Sequence, residues 1–382
     1  MEFGLDEEQR ILRDSIVKFA QGALNERVGA RDAEQAFSRS LWRECAKVGL
    51  QGLAAPEAYG GVGLNAVSTA VALEAFGYGC HDGGLVFSLC AHLLACVVPV
   101  SKHGSEVQKA RYLPGLCDGT LIGAHAITEP GSGSDTFAMR TRAERDGTRW
   151  RLNGSKTFIS NGPVADVAIV FAVTDADKGF HGGLTAFLVE TSTAGFHAGR
   201  KLEKMGLRTA PLGELAFEDM LLDDDHVLGT VGGGAAVFGT AMEWERALLV
   251  ASHVGEIERL LETAVTYART RNQFGQAIGK FQGVAHKIAD MKVKLEASRL
   301  LTYRAAWRLD NARTAALDGS IAKLFVSESL LQAALDTVQI HGGYGFMTEY
   351  QVERALRDAV GGTIYSGTSE MQRNIIARWL GV

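Results

Sequence analysis

All six prolines of this chain fall at or before residue 211, so residues 212–382 contain no ring that would break a helix. Proline removes a backbone donor and clashes with the preceding turn, so a long stretch without it can form helices of many turns. The apolar spacing agrees. Val284, Ile288, Met291 and Leu295 step by four, three and four, and Phe238, Ala241, Met242, Leu249 and Ser252 trace a second stripe. Residues 234–382 therefore read as a bundle of long helices.

Between residues 122 and 233 the pattern changes to short segments separated by glycine, asparagine and aspartate. Trp150–Asn153 and Lys156–Ser160 around Gly154-Ser155 read as a hairpin, and Val167–Val173 and Leu184–Val189 as buried strands. The first 121 residues return to helical spacing, with Leu12, Ile16 and Phe19 on one stripe and Leu85–Ala95 as an apolar helix. The expectation is an α+β multidomain chain: an N-terminal α-helical domain (1–121), a middle β-domain (122–233) and a C-terminal helical bundle (234–382). Gly232-Gly-Gly234 marks the second junction.

Composition narrows the function classes. Apolar residues at 46% and charged residues at 22% describe a chain that folds throughout, and a net charge of -5 with no basic run disfavours a nucleic-acid or anionic-membrane binder. Five cysteines, Cys45, Cys80, Cys90, Cys96 and Cys117, include no C-x-x-C pair, which fits a reduced, cytoplasmic protein without a structural metal. The acidic start, MEFGLDEEQR, is unlike a targeting segment. The most apolar run, Leu93–Val100, is shorter than the roughly 20 residues of a membrane span, so no membrane partner is expected.

Several catalytic patterns are missing, among them G-x-S-x-G, H-E-x-x-H and G-x-x-x-x-G-K-[ST]. Gly61-Val-Gly63-Leu-Asn-Ala66 matches a loose dinucleotide fingerprint but has no strand before it, and reads as a turn. Thr128-Glu-Pro-Gly-Ser-Gly-Ser-Asp135 alternates glycine with serine and offers backbone and hydroxyl donors to a phosphorylated ligand. It is followed in order by Lys156-Thr-Phe-Ile-Ser-Asn-Gly162, Arg271-Asn-Gln-Phe-Gly275 with Phe281-Gln282, Gln339-Ile-His-Gly-Gly343, and Ile364-Tyr-Ser-Gly-Thr-Ser369.

These motifs, in this order and spacing, resemble the acyl-CoA dehydrogenase family over essentially the whole chain. The resemblance implies a homotetrameric FAD protein with an N-terminal α-helical domain, a middle β-barrel-like domain and a C-terminal four-helix bundle. It implies flavin contacts at Ile127, Thr128, Gly133, Ser134, Phe158, Ile159 and Ser160, with Phe158 standing where many members carry tryptophan. A neighbouring subunit is expected to supply Arg271, Phe274, Gln282, Gln339 and Gly343, with Thr368 and Glu370 completing the site. Arginine suits phosphate pairing.

The family's reaction removes the proton α to a thioester carbonyl with a carboxylate while the β-hydride passes to the flavin. Most members place that carboxylate directly before the Gly-Thr of the last motif, where this chain has Ser366. Other members carry it on the first long bundle helix before an arginine, and Trp244-Glu245-Arg246 stands there. Glu245 lies on an apolar stripe between Ala241-Met242 and Leu248-Leu249, which should desolvate it and raise its pKa. The resemblance keeps for Ser366 the backbone N–H that hydrogen-bonds the thioester oxygen.

The run Gly79-Cys-His-Asp-Gly-Gly-Leu-Val-Phe87, the Trp244-Glu245-Arg246 step and the Tyr365–Ser369 ending are similar to the subgroup that oxidises aminoacyl groups, such as prolyl, on carrier proteins. This implies a phosphopantetheine thioester in place of free CoA, with Arg246 near the substrate. Ser88 and His92, four apart on one helix face, are candidates to meet a heteroatom in the acyl group, with a hydrogen-bonded core histidine as the alternative. An electron-transfer flavoprotein is the expected acceptor. An oxidase or monooxygenase using oxygen directly is the competing enzyme class. A non-catalytic, DNA-associated relative is disfavoured by the charge and by Glu245.

Overall fold

A computed structural model describes residues 4–382. Seven helices open the chain: α1 (Glu7–Ala23), α2 (Val28–Glu34), α3 (Arg39–Lys47), α4 (Ala66–Gly79), α5 (Gly83–His92), α6 (Val98–His103) and α7 (Glu106–Cys117). Asp6 and Gln9 form a reciprocal cap at the start of α1, as Ser105 and Gln108 do for α7, satisfying donors that a helix start leaves open. Gly61–Leu64, read as a turn, is an irregular loop whose N–H groups bond back to the 52–56 segment, and α4 begins just after it.

Leu93–Val97 is a π-turn that joins α5 to α6, so Gly83–His103 runs as one helix. Proline is the cause. Pro99 has no N–H for the carbonyl of Ala95, the helix widens, and the freed carbonyl instead accepts from His125 Nδ1 at 3.0 Å. That bond ties the helical layer to the first strand. The run read as eight apolar residues is thus part of a 21-residue helix that is long and apolar enough to cross a membrane, and its side chains are spent in the protein core.

The middle region contains β1 (Gly123–Ala126), β2 (Arg142–Asp146), β3 (Arg149–Ser160), β4 (Val167–Val173), a short α8 (Gly179–Gly183), β5 (Leu184–Glu190), β6 (Phe196–Lys201), β7 (Leu212–Leu222) and β8 (Val227–Leu228). The order is β6-β7-β3-β2-β4-β5-β8, with β1 parallel to β4. Only Arg142↔Val173 joins β2 to β4. The sheet therefore folds there into two halves over one core, in which Trp150 and Phe187 meet with ring centroids 5.9 Å apart.

The hairpin expected at Gly154-Ser155 is not formed. β3 runs straight through it, with a register shift between Leu152 and Gly154, and the hairpin is β2–β3 around Gly147. Gly154 serves close approach instead, since a Cβ there would lie 2.5 Å from Thr141 Oγ1.

The chain ends in α9 (Gly234–Thr270), a two-residue hairpin β9–β10 (Asn272–Gln273 and Gln276–Ala277), α10 (Gln282–Asn311), α11 (Ala316–His341), α12 (Val352–Gly362) and α13 (Ser369–Leu380). At 37 residues α9 is about 55 Å long and packs on α4, α10 and α11. Its crossing with α4 is backbone on backbone. A Cβ at Gly77 would lie 2.0 Å from Ser252 O, and one at Gly255 would lie 2.0 Å from Glu74 O. The first and last helical regions consequently share one hydrophobic core, which one face of β4 and β5 joins through Ile169, Phe171 and Leu188, while the other face encloses a second core within the sheet.

Candidate active site

Glu245 sits in the first third of α9, among the buried Trp244, Ala247, Leu248 and Leu249, and is itself 8% exposed. Burial pushes its carboxyl above the ordinary glutamate value, against the opposing pull of the Ser366 hydroxyl, Arg246 and Lys323. Ser366 Oγ lies beside that carboxyl, buried and without a well-formed hydrogen bond.

The segment facing Glu245 is the loop from α12 to α13. Ser366 adopts φ +55, a left-handed conformation that is uncommon for a residue with a Cβ, and is held in it by its neighbours. Its carbonyl accepts from Arg246 Nε at 3.1 Å and Gln372 Nε2 at 3.1 Å. The carbonyl of Gly367 accepts from Lys323 Nζ at 2.7 Å and Gln372 Nε2 at 2.9 Å. Thr368 caps α13 by accepting from Met371 N, and Glu370, exposed in the first turn, is held below its usual range chiefly by backbone N–H donation. With the carbonyls pinned, the N–H of Ser366 finds no acceptor among the described residues and is free to donate to a ligand.

Two parts of this clamp are absent from the sequence reading. Lys323 is 1% exposed, and burial pulls it down to about 8. Ser320, Lys323, Ser327 and Leu330 step by three, four and three and are all buried, so a lysine within a helical core stripe was the available signal. Gln372, fully buried on α13, carries no such mark. Arg246, expected near substrate, is engaged with the Ser366 carbonyl and acts as part of the clamp.

On the sheet side, the loop after β1 is tied down from below. Lys156 Nζ, fully buried, donates to Ile127 O at 3.1 Å and pairs with Glu129 at 2.9 Å, while Glu129 also accepts from the N–H groups of Arg140 and Thr141. Thr157 N donates to Thr128 O at 2.9 Å. Above these anchors the N–H groups of Gly131, Gly133 and Ser134 have no acceptor among the described residues, a backbone arrangement suited to an anion. A second register shift, between Lys156 and Ile159, turns Phe158 outward at φ +56 and leaves its ring 63% exposed. Ser160 is half-buried at the end of β3. Ile159 points into the sheet core at 2% exposure, so only its backbone can face a ligand. An exposed aromatic wall beside open N–H donors is a donor set that fits a flavin and its pyrophosphate.

The residues expected from a neighbouring subunit lie elsewhere. Arg271 ends α9 with its guanidinium 5.3 Å from the Tyr344 ring centre, Phe274 is 93% exposed, and Gln282, Gln339 and Gly343 are exposed at the same end of the bundle. Arg271 is 26 residues beyond Glu245, about 39 Å along the helix axis. The two groups cannot meet within one chain.

The substrate role expected of His92 is corrected by the structure. His92 is fully buried, its Nε2 bonds Leu116 O at 2.9 Å and its Nδ1 accepts from Gly123 N at 2.8 Å, leaving nothing for a ligand. It fastens the helical layer to β1. Ser88, also fully buried, offers its carbonyl to Asn161 Nδ2 at 3.0 Å. Polar side chains that do open onto a cavity beside the clamp include Ser252, His253, Glu256, Arg259, Asp358 and Tyr365, with Phe87 and Leu249 among the apolar walls.

A carboxylate buried against a clamped loop, and an open N–H cradle on an adjoining split sheet, are the features of one enzyme family. The chain belongs to the acyl-CoA dehydrogenase family: its N-terminal, middle and C-terminal domain models match residues 6–120, 124–220 and 232–381. Among curated relatives, the L-prolyl-[peptidyl-carrier protein] dehydrogenase of Pseudomonas fluorescens is 44% identical over 346 residues, 90% of each chain. The enzyme of the same name from a Serratia species is 41% identical over 382 residues, covering 100% of this chain and 99% of that one. Among solved structures, the prolyl acyl carrier protein oxidase AnaB superposes with a TM-score of 0.97 at 43% identity, covering 99% of this chain and 100% of that one. The FAD complex of PigA gives 0.97 at 41% identity, covering 100% and 99%.

Proposed function

We propose that this chain is an FAD-dependent dehydrogenase that introduces an α,β double bond into an aminoacyl thioester of prolyl type, held on a carrier protein. The observation that carries the reading is Glu245, a buried carboxylate with a raised pKa, set against the free N–H of Ser366. Relatives named for prolyl carrier-protein substrates match over nearly the whole chain.

Glu245 accepts the proton α to the thioester carbonyl. Its raised pKa narrows the gap to that weak carbon acid, and the apolar side chains around it exclude competing water. The N–H of Ser366 stabilises the negative charge that develops on the thioester oxygen, and it is aimed before reaction because Arg246, Gln372 and Lys323 fix the loop by its carbonyls. FAD bound there would supply a two-electron acceptor for the β-hydrogen and its electron pair. Phe158 would wall the ring, Thr128, Gly133 and Ser134 would hold it and its pyrophosphate, and Arg271, Phe274, Gln282, Gln339 and Gly343 of a second copy would complete the site.

Oligomerisation follows from the 39 Å separation, and a homotetramer is the assembly we expect. Val293, Leu300 and Trp307, each more than half exposed on α10, supply apolar surface for it. A cytoplasmic location and an electron-transfer flavoprotein as acceptor complete the reading. One relative is named an oxidase, and the acceptor is separable by experiment.

The test is an anaerobic titration followed by flavin absorbance, with the prolyl thioester on its carrier protein, the prolyl-CoA thioester and a branched acyl-CoA. Bleaching by the carrier-bound substrate is expected, with slow reoxidation in air. Bleaching by an acyl-CoA alone contradicts the carrier assignment, and immediate reoxidation in air contradicts the separate acceptor.

A further inference from the structure

Beyond Glu245, α9 presents Leu249, Ser252 and His253 to a cavity closed on other sides by Phe87 and Tyr365. Its free space is about 20 Å³, room for one water-sized group, so the polar edge of a ligand fits and a whole ring does not. Tyr365 immediately precedes Ser366, and burial, followed by the nearby Glu256 charge, holds its hydroxyl protonated. The ring of Tyr365 is fixed against Phe87 with centroids 4.6 Å apart, and its hydroxyl bonds His253 Nε2 at 2.7 Å. His253 is 6% exposed, and its Nδ1 has no hydrogen-bond partner among the described residues.

An unpaired ring nitrogen in a buried cavity is costly unless something comes to meet it. Burial pulls His253 down to about 3, so the ring is neutral, and the two side chains carry two polar hydrogens between them. One is used in the bond that joins them. If tyrosine donates to Nε2, the pair shows the cavity an Nδ1–H donor and a phenol oxygen acceptor. If Nε2–H donates to tyrosine, it shows a phenol O–H donor and an Nδ1 acceptor. In either tautomer the pair offers one donor and one acceptor.

A neutral secondary amine has one N–H and one lone pair, the complement of both arrangements. A methylene has neither, and an ammonium has no lone pair. Glu256 and Asp358 also line the cavity, but burial raises both carboxyls, Asp358 to about 7, and Glu256 already has Arg259 at 3.6 Å, so their pull on a cation is weakened. We propose that the His253–Tyr365 pair is the specificity element that recognises the ring nitrogen of the aminoacyl thioester in its neutral form. The inference rests on the aminoacyl reading above and moves the heteroatom contact from His92 to this pair.

The experiment compares anaerobic flavin reduction by two thioesters on the same carrier protein, prolyl and cyclopentanecarbonyl, which differ by N–H against CH₂. The wild-type enzyme is expected to prefer prolyl by roughly tenfold or more in kcat/KM. In Tyr365→Phe and His253→Leu the preference should fall to within about threefold, through loss on prolyl alone. Flavin content reports folding, and Tyr365→Phe, which keeps the ring against Phe87, decides the matter if His253→Leu does not fold. Variants that retain the wild-type ratio overturn the proposal and leave the functional reading intact, as does a wild-type enzyme that reduces equally with both. No reduction by either thioester overturns the aminoacyl reading, and this inference with it.

Discussion

Near its start α9 carries Glu245, buried, raised in pKa and facing a loop whose Ser366 and Gly367 carbonyls are fixed. At its end the same helix delivers Arg271 and Phe274 to an open surface, with nothing from the sheet domain near them in element contacts. One end holds the buried carboxylate and its clamped loop, and the other holds exposed residues that the proposed function assigns to the cofactor of a second copy. About 39 Å of helix separates them, so the two ends cannot meet within one chain, and on that proposal the helix is a spacer that makes activity depend on assembly.

The strongest way to break this comparison is to damage the two ends separately. Glu245→Gln and Arg271→Ala copies should each be nearly inactive, the first from loss of the base and the second from weakened FAD binding. Co-assembled from unfolded or co-expressed chains, they should regain a measurable fraction of wild-type turnover, because a Glu245 from one copy meets an Arg271 from the other. Absence of any recovery in confirmed mixed oligomers would show that each chain completes its own site.

Lys323 sharpens the account of the buried end. Its charge lowers the pKa of Glu245, and its ammonium pins Gly367. Lys323→Met should reduce the rate of flavin reduction by about tenfold and move the acid limb of the pH–rate profile upward by about half to one unit. In the wild type that limb should already lie above the ordinary glutamate range, with activity gained as pH rises and the proton leaves Glu245. A rate loss with an unmoved limb would assign Lys323 to structure alone.

The smallest effect concerns the histidine that proved structural. Burial lowers His92 to about 4 from an ordinary 6.5, so the folded state binds fewer protons than the unfolded state between those values. Its contribution is complete above pH 6.5 and is lost as pH falls toward 4, by about 1.4 kcal/mol per unit. Melting curves of wild type and His92→Gln should therefore converge as pH is lowered through that window, and parallel curves would contradict the neutral, doubly bonded ring.

How much of this was legible follows from what sequence periodicity encodes. The proline-free tail and its stripes locate the long helices, and Glu245 is identified through the family resemblance at Trp244-Glu245-Arg246, with the apolar stripe in support. The Gly154 hairpin was misread because glycine signals both a turn and a close approach, and only the packing of Thr141 against it decides which. Helical spacing offers His92 to the substrate, but spacing does not reveal that Leu116 and Gly123 engage both ring nitrogens. The His253–Tyr365 pair joins residues 112 positions apart and has no local signature. The shifted backbone of Ser366 and Phe158 is likewise set by tertiary clamps and register, which no neighbouring residue announces.

The claim on which the account depends is that Glu245 takes the α-proton. Wild-type and Glu245→Gln holoenzymes, matched for bound flavin, should be mixed anaerobically with the carrier-bound prolyl thioester while flavin absorbance is followed. The account predicts prompt bleaching in the wild type and a rate about four orders of magnitude lower in the variant, with the flavin still bound. Bleaching of Glu245→Gln at a rate comparable to wild type would contradict it.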